Sequence, residues 1–309
     1  MSDMRLFDVR NGQVRELEGR SVALEKSLQT LIENHLEAFL GVRLLASEYG
    51  TGKRHGGRID TLGIDENGCP VIIEYKRATN ENVMNQGLFY LDWLLDHKTE
   101  FQWLVMEKLG KKQADEVEWR SPRLICIAGD YTRYDQYAVQ QINRNIELVR
   151  YRRYGDDFLL LDLVNTISAT TEEQGTRTGQ DDQKAQNQYK TVSDYLEKAS
   201  IDLRDRYEAL RAYLLALGDD VQENTLKLYF AFKRIKNFAC VEVHPQTAAL
   251  LVYLKVDPDS LDLSALGKDF ARDVRNIGHF GTGDLEIKLR SHDDLEKAKP
   301  LLLRSYEVS

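Results

Sequence analysis

Residues 166 to about 190, TISATTEEQGTRTGQDDQKAQNQYK, hold almost nothing that could pack against a core. Side chains of this kind cannot bury enough apolar surface to offset the entropy of ordering their backbone, so the stretch reads as a flexible linker. A chain of 309 residues interrupted in this way is expected to form two domains. The first is placed at 1–165, the linker at 166–192 and the second at 193–309.

With 42% hydrophobic and 30% charged residues, both parts can bury a core and keep a wet surface. No apolar run approaches the roughly 20 residues that span a bilayer, and the opening MSDMRLFDVR lacks a stretch of signal-peptide length. Cys69, Cys126 and Cys240 lie far apart and form no metal-ligand spacing, which reads as buried reduced thiols. A soluble cytoplasmic protein is expected. The net charge of −8 argues against coating nucleic acid through bulk electrostatics, but leaves room for a local basic groove.

Leu6–Val9 and Gln13–Leu17 meet at Asn11-Gly12, a dipeptide favoured in tight hairpins. From Ser21 to Leu40 the apolar residues recur at helical period and stop at Gly41. Arg58–Ile64 and Val71–Lys76 read as adjacent strands joined by Asp65-Glu66-Asn67-Gly68. The pattern then predicts a helix over Asn82–Leu95, strands at Phe101–Met106 and Arg123–Ala128, a helix near Tyr134–Asn143, and paired strands at Glu147–Tyr154 and Phe158–Val164. This alternation predicts an α/β mixed sheet. Beyond the linker, a helix near Leu203–Leu217, strands at Leu226–Phe232, Ala239–Val243, Leu250–Val256 and Leu285–Leu289, and a helix over Asp293–Tyr306 predict a smaller α+β domain.

Chemistry concentrates in GGRID at Gly56–Asp60 and PVIIEYKR at Pro70–Arg77. Because strand side chains alternate, Glu74 and Lys76 project to one face and Tyr75 to the other. If the strands are neighbours, Asp60 reaches the same edge. Two carboxylates, the Tyr75 carbonyl and water would then suit Mg²⁺ or Mn²⁺, hard cations that take oxygen ligands. Lys76 beside them would orient or deprotonate the nucleophile and offset charge on a phosphodiester.

The order Asp60, then Glu74-Tyr75-Lys76, resembles the PD-(D/E)XK nuclease superfamily, with Ile59 standing where the family name has Pro. The resemblance implies an αβββαβ nuclease core and an additional acid on the preceding helix. Glu25 is the first choice for that acid, ahead of Glu33 and Glu37. RecB-like members carry Gln-x-x-x-Tyr on the following helix, and Gln86 and Tyr90 have that spacing. GRIDTLGID, VIIEYKR and NQGLFYLDWL in this order resemble a bacterial nuclease-like family with a poorly characterised C-terminal domain, some of whose members have been labelled putative transport proteins.

Each feature also has a plainer reading. The Asp60–Glu74–Lys76 charges could pair across a solvated hairpin for under roughly 1 kcal/mol, although Glu74 and Lys76 interrupt an otherwise apolar strand. Glu25 equally fits a solvated acidic face. Gln86 and Tyr90 equally fit a core-facing helix. Lys53-Arg54-His55 and Arg150–Tyr154 mix basic and aromatic residues as nucleic-acid contacts do, but more often such stretches are charged loops or strand edges. Arg275–Asp284, rich in glycine, reads as a structural turn.

The expected function is a Mg²⁺- or Mn²⁺-dependent deoxyribonuclease serving defence or repair, with Asp60, Glu74, Lys76, Gln86 and Tyr90 as its catalytic set. Asp60, Glu74, Tyr75 and Glu25 are its metal ligands. The partner is nucleic acid, DNA before RNA; a homodimer would serve cleavage of both strands of a duplex. The alternative is a nucleic-acid- or protein-binding module that keeps the fold and cuts nothing.

Overall fold

The computed structural model describes residues 4–20, 25–52, 56–76, 83–167 and 191–309, with backbone only at Glu25, Val83 and Ile167. The chain forms two compact units, residues 1–169 and 170–309. No described helix is long and apolar enough to cross a membrane.

The first unit opens on a hairpin of β1 (Leu6–Arg10) and β2 (Gln13–Leu17), followed by the short β3 (Gly19–Arg20). Two helices, α1 (Glu25–Asn34) and α2 (Leu36–Leu40), replace the single helix expected over Ser21–Leu40; residues 21–24 lie outside the described residues. The backbone breaks at His35 (φ −133°, ψ 30°). Sequence periodicity does not register the break, because Leu28, Ile32, Leu36 and Leu40 keep one buried stripe through it.

The next strand, β4 (Val42–Gly50), was not foreseen. A bulge between Leu44 and Ala46 and a left-handed Glu48 (φ 54°) disrupt the alternation by which strands are recognised. The expected hairpin follows as β5 (Arg58–Asp65) and β6 (Pro70–Lys76). After α3 (Val83–Asp96), the strand expected over Phe101–Met106 is instead part of a helix, α4 (Lys98–Leu109). Phe101 and Val105, one turn apart, are buried, while Trp103 between them is 64% exposed. A short apolar run does not separate strand from helix; here the flanking Lys, Glu and Leu residues extend it to helical length.

The unit ends with α5 (Lys111–Asp115), β7 (Arg123–Ala128), α6 (Arg133–Gln140), β8 (Asn145–Tyr154) and β9 (Phe158–Ile167). Among the described residues these strands form a mixed seven-stranded sheet in the order β3-β8-β7-β6-β5-β4, with β9 also on β8. β6, β7 and β8 run parallel; the other pairs are antiparallel. Ile72, Leu124 and Cys126 form one buried cluster with Tyr90, Leu91 and Leu94 of α3. A Cβ at Gly87 would fall 2.5 Å from Leu124, so glycine lets α3 lie close on the sheet.

At the hairpin end of β5 a buried ion cluster joins three strands. Arg123 donates to Asp65 at 2.9 Å and to both oxygens of Glu147 at 2.8 Å. Asp65 also accepts from the backbone of Asn67 and Cys69, both at 2.9 Å, which closes the turn.

The second unit contains α7 (Val192–Glu197), α8 (Ile201–Leu215), β10 (Gln222–Thr225), β11 (Phe230–Lys233), β12 (Asn237–His244), β13 (Ala249–Leu254), α9 (Leu263–Leu266), β14 (Ala271–Asp273), β15 (Leu285–Leu289) and α10 (His292–Glu307). Its described strands make an antiparallel sheet in the order β10-β11-β12-β13-β15-β14. Leu203, Leu210 and Leu214 of α8 and Leu295, Ala298 and Leu302 of α10 share one core with that sheet. Residues 226–229, expected in a strand, form the connection between β10 and β11, and α7 begins at the end of the segment assigned to the linker. All three cysteines are buried, and none is in a disulfide.

Removing one member of a buried ion cluster leaves uncompensated charge in a low-dielectric interior. Arg123→Ala should therefore destabilise the first unit by about 3–5 kcal/mol. The three tryptophans, Trp93, Trp103 and Trp119, all lie in that unit, so their fluorescence through a urea titration reports it alone. An unchanged midpoint would show that Asp65 and Glu147 do not depend on the guanidinium.

Candidate metal centre

The β5–β6 ladder ends at Thr61↔Ile73, although β5 stays paired with β4 to Arg58 and β6 stays paired with β7 to Lys76. Beyond Thr61 the two strands diverge, and side chains take over the bonds that a ladder would make. Glu74 Oε1 accepts from the Asp60 backbone N–H at 3.2 Å, and Asp60 Oδ2 accepts from the Tyr75 N–H at 3.1 Å. The cleft between the strands thus brings the two carboxylates together, as the spacing predicts.

Glu74 is fully buried and Asp60 partly so. Burial, followed by the charge of Asp60, pushes the Glu74 carboxyl up to about 9. Burial also raises Asp60, while the Lys76 ammonium acts on both groups in the opposite sense. Two acids this close in a dry cleft cannot both ionise without a cation or a shared proton. Glu74 Oε2 is buried and accepts no hydrogen bond. This set of carboxylate oxygens fits a hard divalent cation. Among the described residues no group of three or more His, Cys, Asp or Glu converges.

The surroundings fix the cleft from two sides. Tyr90 of α3 is buried; its hydroxyl accepts from the Arg58 N–H at 3.0 Å and from Gln86 at 3.2 Å. A Cβ on Gly57 would lie 2.5 Å from the Tyr90 ring, so this contact needs glycine. Gln86 and Tyr90 therefore tie α3 to the start of β5. On the α1 side, buried Gln29 donates to the Asp60 carbonyl at 2.8 Å and to Glu33 at 3.0 Å, and Glu33 accepts from the Thr61 hydroxyl at 2.6 Å.

Glu33 is thus bound to the residue beside Asp60 and not to the carboxylate pair. The side chain of Glu25 and residues 53–55 lie outside what is described, and Glu37 is exposed. Arg150 is buried between Asp130 and Asp162, and Tyr151 and Tyr154 are buried, so Arg150–Tyr154 does not form a basic-aromatic surface. In the second unit, His279 stacks on Tyr253 with ring centroids 4.2 Å apart, and a Cβ at Gly281 would fall 2.5 Å from Cys240 Cβ. Both contacts pack the glycine-rich stretch onto the sheet.

Sequence reasoning missed Gln29 and Glu48. Gln29 carries a signal, a polar residue next to Leu28 on a buried helical stripe. Glu48 carries none, because its left-handed backbone at the end of β4 is not written in local composition. Glu48 binds Lys26 at 2.6 Å and Arg58 at 2.5 Å, and its charge reaches Asp60.

Over 305 residues the chain is 30% identical to an uncharacterized protein of Haemophilus influenzae (strain ATCC 51907 / DSM 11121 / KW20 / Rd), covering 97% of this chain and 98% of the relative. Residues 192–309 match the model of a domain of unknown function, DUF5655. Two solved structures have partial likeness. The crystal structure of a repair endonuclease from Pyrococcus abyssi is 20% identical, over 42% of this chain and 48% of that one, at a TM-score of 0.24. The structure of an EndoMS–dsDNA2 complex is 21% identical, over 44% and 50%, at a TM-score of 0.25. The chain spans about half the length of each, and scores of this size carry no argument about its chemistry.

Glu74 gives the cleft a pH signature. Its folded value, about 9, lies above the ordinary 4.5, so the stability it contributes is full below about 4.5 and is lost as pH rises through about 9. Glutamine has no proton to lose. In chelator, Glu74→Gln should raise the urea midpoint of the first unit over wild type, by a margin growing between about pH 5 and about pH 9. A margin constant with pH would mean that Glu74 ionises freely.

Proposed function

The chain belongs to the family of that Haemophilus influenzae protein, and we propose that its first unit is a PD-(D/E)XK-type, metal-dependent nuclease acting on DNA phosphodiester bonds. The carrying observation is the splayed β5–β6 end, where buried Glu74 and Asp60 share a cleft and Glu74 Oε2 accepts no hydrogen bond. Without a cation that arrangement is electrostatically costly. It is a poor design for a purely structural hairpin and a good one for a divalent-ion site.

Asp60 and Glu74, with the Tyr75 carbonyl, are the residues to hold Mg²⁺ or Mn²⁺. The ion would supply Lewis-acid polarisation of the phosphate and acidify the attacking water. Lys76, half-exposed at the end of β6, keeps a positive charge within reach of both carboxylates, where it offsets charge developing on the phosphodiester. Gln86 and Tyr90 act as positioning residues, because they hold the backbone two residues before Asp60. Gln29 does the same through the Asp60 carbonyl.

The test is cleavage of labelled single-stranded, duplex and forked DNA with Mg²⁺, Mn²⁺ or chelator. Wild type should cut only with metal, and Lys76→Ala and Glu74→Ala should each lose at least about 100-fold in rate. Binding without product under every metal condition would sink the nuclease reading and support a non-cleaving module.

A further inference from the structure

Two exposed cations from different elements converge on one carboxylate beside the Asp60–Glu74 pair. Lys26 of α1 lies 2.6 Å from Glu48 Oε1, and Arg58 Nε lies 2.5 Å from Glu48 Oε2. The Lys26 and Arg58 side chains are 61% and 67% exposed, against 26% for Glu48. An ordinary surface ion pair contributes little to stability. Yet Glu48 adopts a left-handed backbone (φ 54°), a conformation unfavourable to a residue with a Cβ. The Arg58 contact is also imperfect, since Glu48 Oε2 accepts no aligned hydrogen bond. A strained backbone of this kind persists where the fold over-determines it, as it does at ligand sites, and Lys26 and Gln29 also hold Glu48 there.

Arg58 stands two residues before Asp60 on β5, so strand alternation puts the two on one face. A guanidinium fork and an ammonium around one anion are the groups that bind a phosphate. We propose that Lys26 and Arg58 form a phosphate-binding subsite for the nucleic-acid strand entering the cleft, and that Glu48 occupies the phosphate position in the free protein. The subsite rests on the nuclease reading for its substrate. A backbone phosphate displaces Glu48, takes over both cations and aligns the strand beside the two carboxylates.

The subsite makes a prediction of unusual sign: removing an acid should strengthen binding, beyond what loss of one surface charge gives at a distant position. Binding of fluorescein-labelled DNA is measured in chelator by anisotropy, across salt from about 50 to about 200 mM. Glu48→Gln, and Glu48→Asn as a second variant that tolerates the left-handed backbone, should bind about tenfold tighter than wild type. A control at exposed Glu37, Glu37→Gln, should change little. Lys26→Gln and Arg58→Gln should each weaken binding and lower the salt slope by about one, while Lys26→Arg and Arg58→Lys restore the slope. Tryptophan fluorescence confirms that each variant is folded.

Glu48 variants that bind no tighter than Glu37→Gln, or cation variants with the wild-type slope, overturn the subsite. So does an absence of DNA binding by both wild type and the Glu48 variants. If wild type cuts DNA in Mg²⁺ while these variants bind unchanged, the subsite falls and the nuclease stands. If DNA binds with the predicted pattern but is never cut, the nuclease falls and the subsite stands.

Discussion

The first unit depends on Asp65. One of its oxygens closes the β5–β6 turn onto Asn67 and Cys69, and the other holds Arg123, which in turn grips Glu147. Four strands are thereby fixed at one end, β5 and β6 through the turn and β7 and β8 through the guanidinium. Asp65, Arg123 and Glu147 are all buried, so the cluster is held by one guanidinium that donates to both carboxylates in a dry setting. The register of the sheet is set there. What happens at the other end of β5 is free to depart from regular pairing.

That departure creates the candidate site. Where the β5–β6 ladder stops, the N–H groups of Asp60 and Tyr75 would be left without partners, and each finds a carboxylate instead. Asp60 and Glu74 therefore have two tasks, completing the backbone and presenting oxygens to the cleft. Burial is the main cost, seen in the upward shift of both carboxyls; for Glu74 the charge of Asp60 adds to it, and Lys76 relieves only part. A site so arranged is better satisfied with a cation than without one. Gln29 and Tyr90 show how the cost is contained: they hold the backbone of β5 on both sides of Asp60, so the repelling pair cannot simply drift apart.

Much of this was legible in the sequence because the relevant signals are local. Glu74 and Lys76 break an apolar strand at alternate positions, and Asn67-Gly68 marks the turn that makes Asp60 their neighbour. Arg123–Ala128 is an uninterrupted buried strand, as its composition implies. The misses have physical reasons. β4 is hidden by a bulge and by Glu48, which shift its side chains between faces. The apolar run in α4 has the composition of a strand, and only its flanks and the position of Trp103 in the fold decide otherwise. The break at His35 leaves hydrophobic period intact. Glu33 was ranked below Glu25 as an additional acid, and its actual bond to Thr61 depends on which face of α1 meets β5, which spacing alone does not specify.

The cations of the first unit serve two ends. Arg123 and Arg150 are buried and held by two carboxylates each, so neither is available to a ligand. Arg150 belongs to the stretch whose composition most resembled a nucleic-acid contact, which is why composition misled there: the basic residue is part of the interior. Lys26 and Arg58 differ in every respect that matters to binding. They are exposed and share one carboxylate, to which Lys26 donates a hydrogen bond while the Arg58 contact lacks the alignment of one. An overall charge of −8 therefore does not describe the surface that a strand would meet. Long-range repulsion slows the approach of a polyanion, but over the last few ångströms the pairing of local cations decides the energy. Near Asp60 those cations share one carboxylate, that of Glu48.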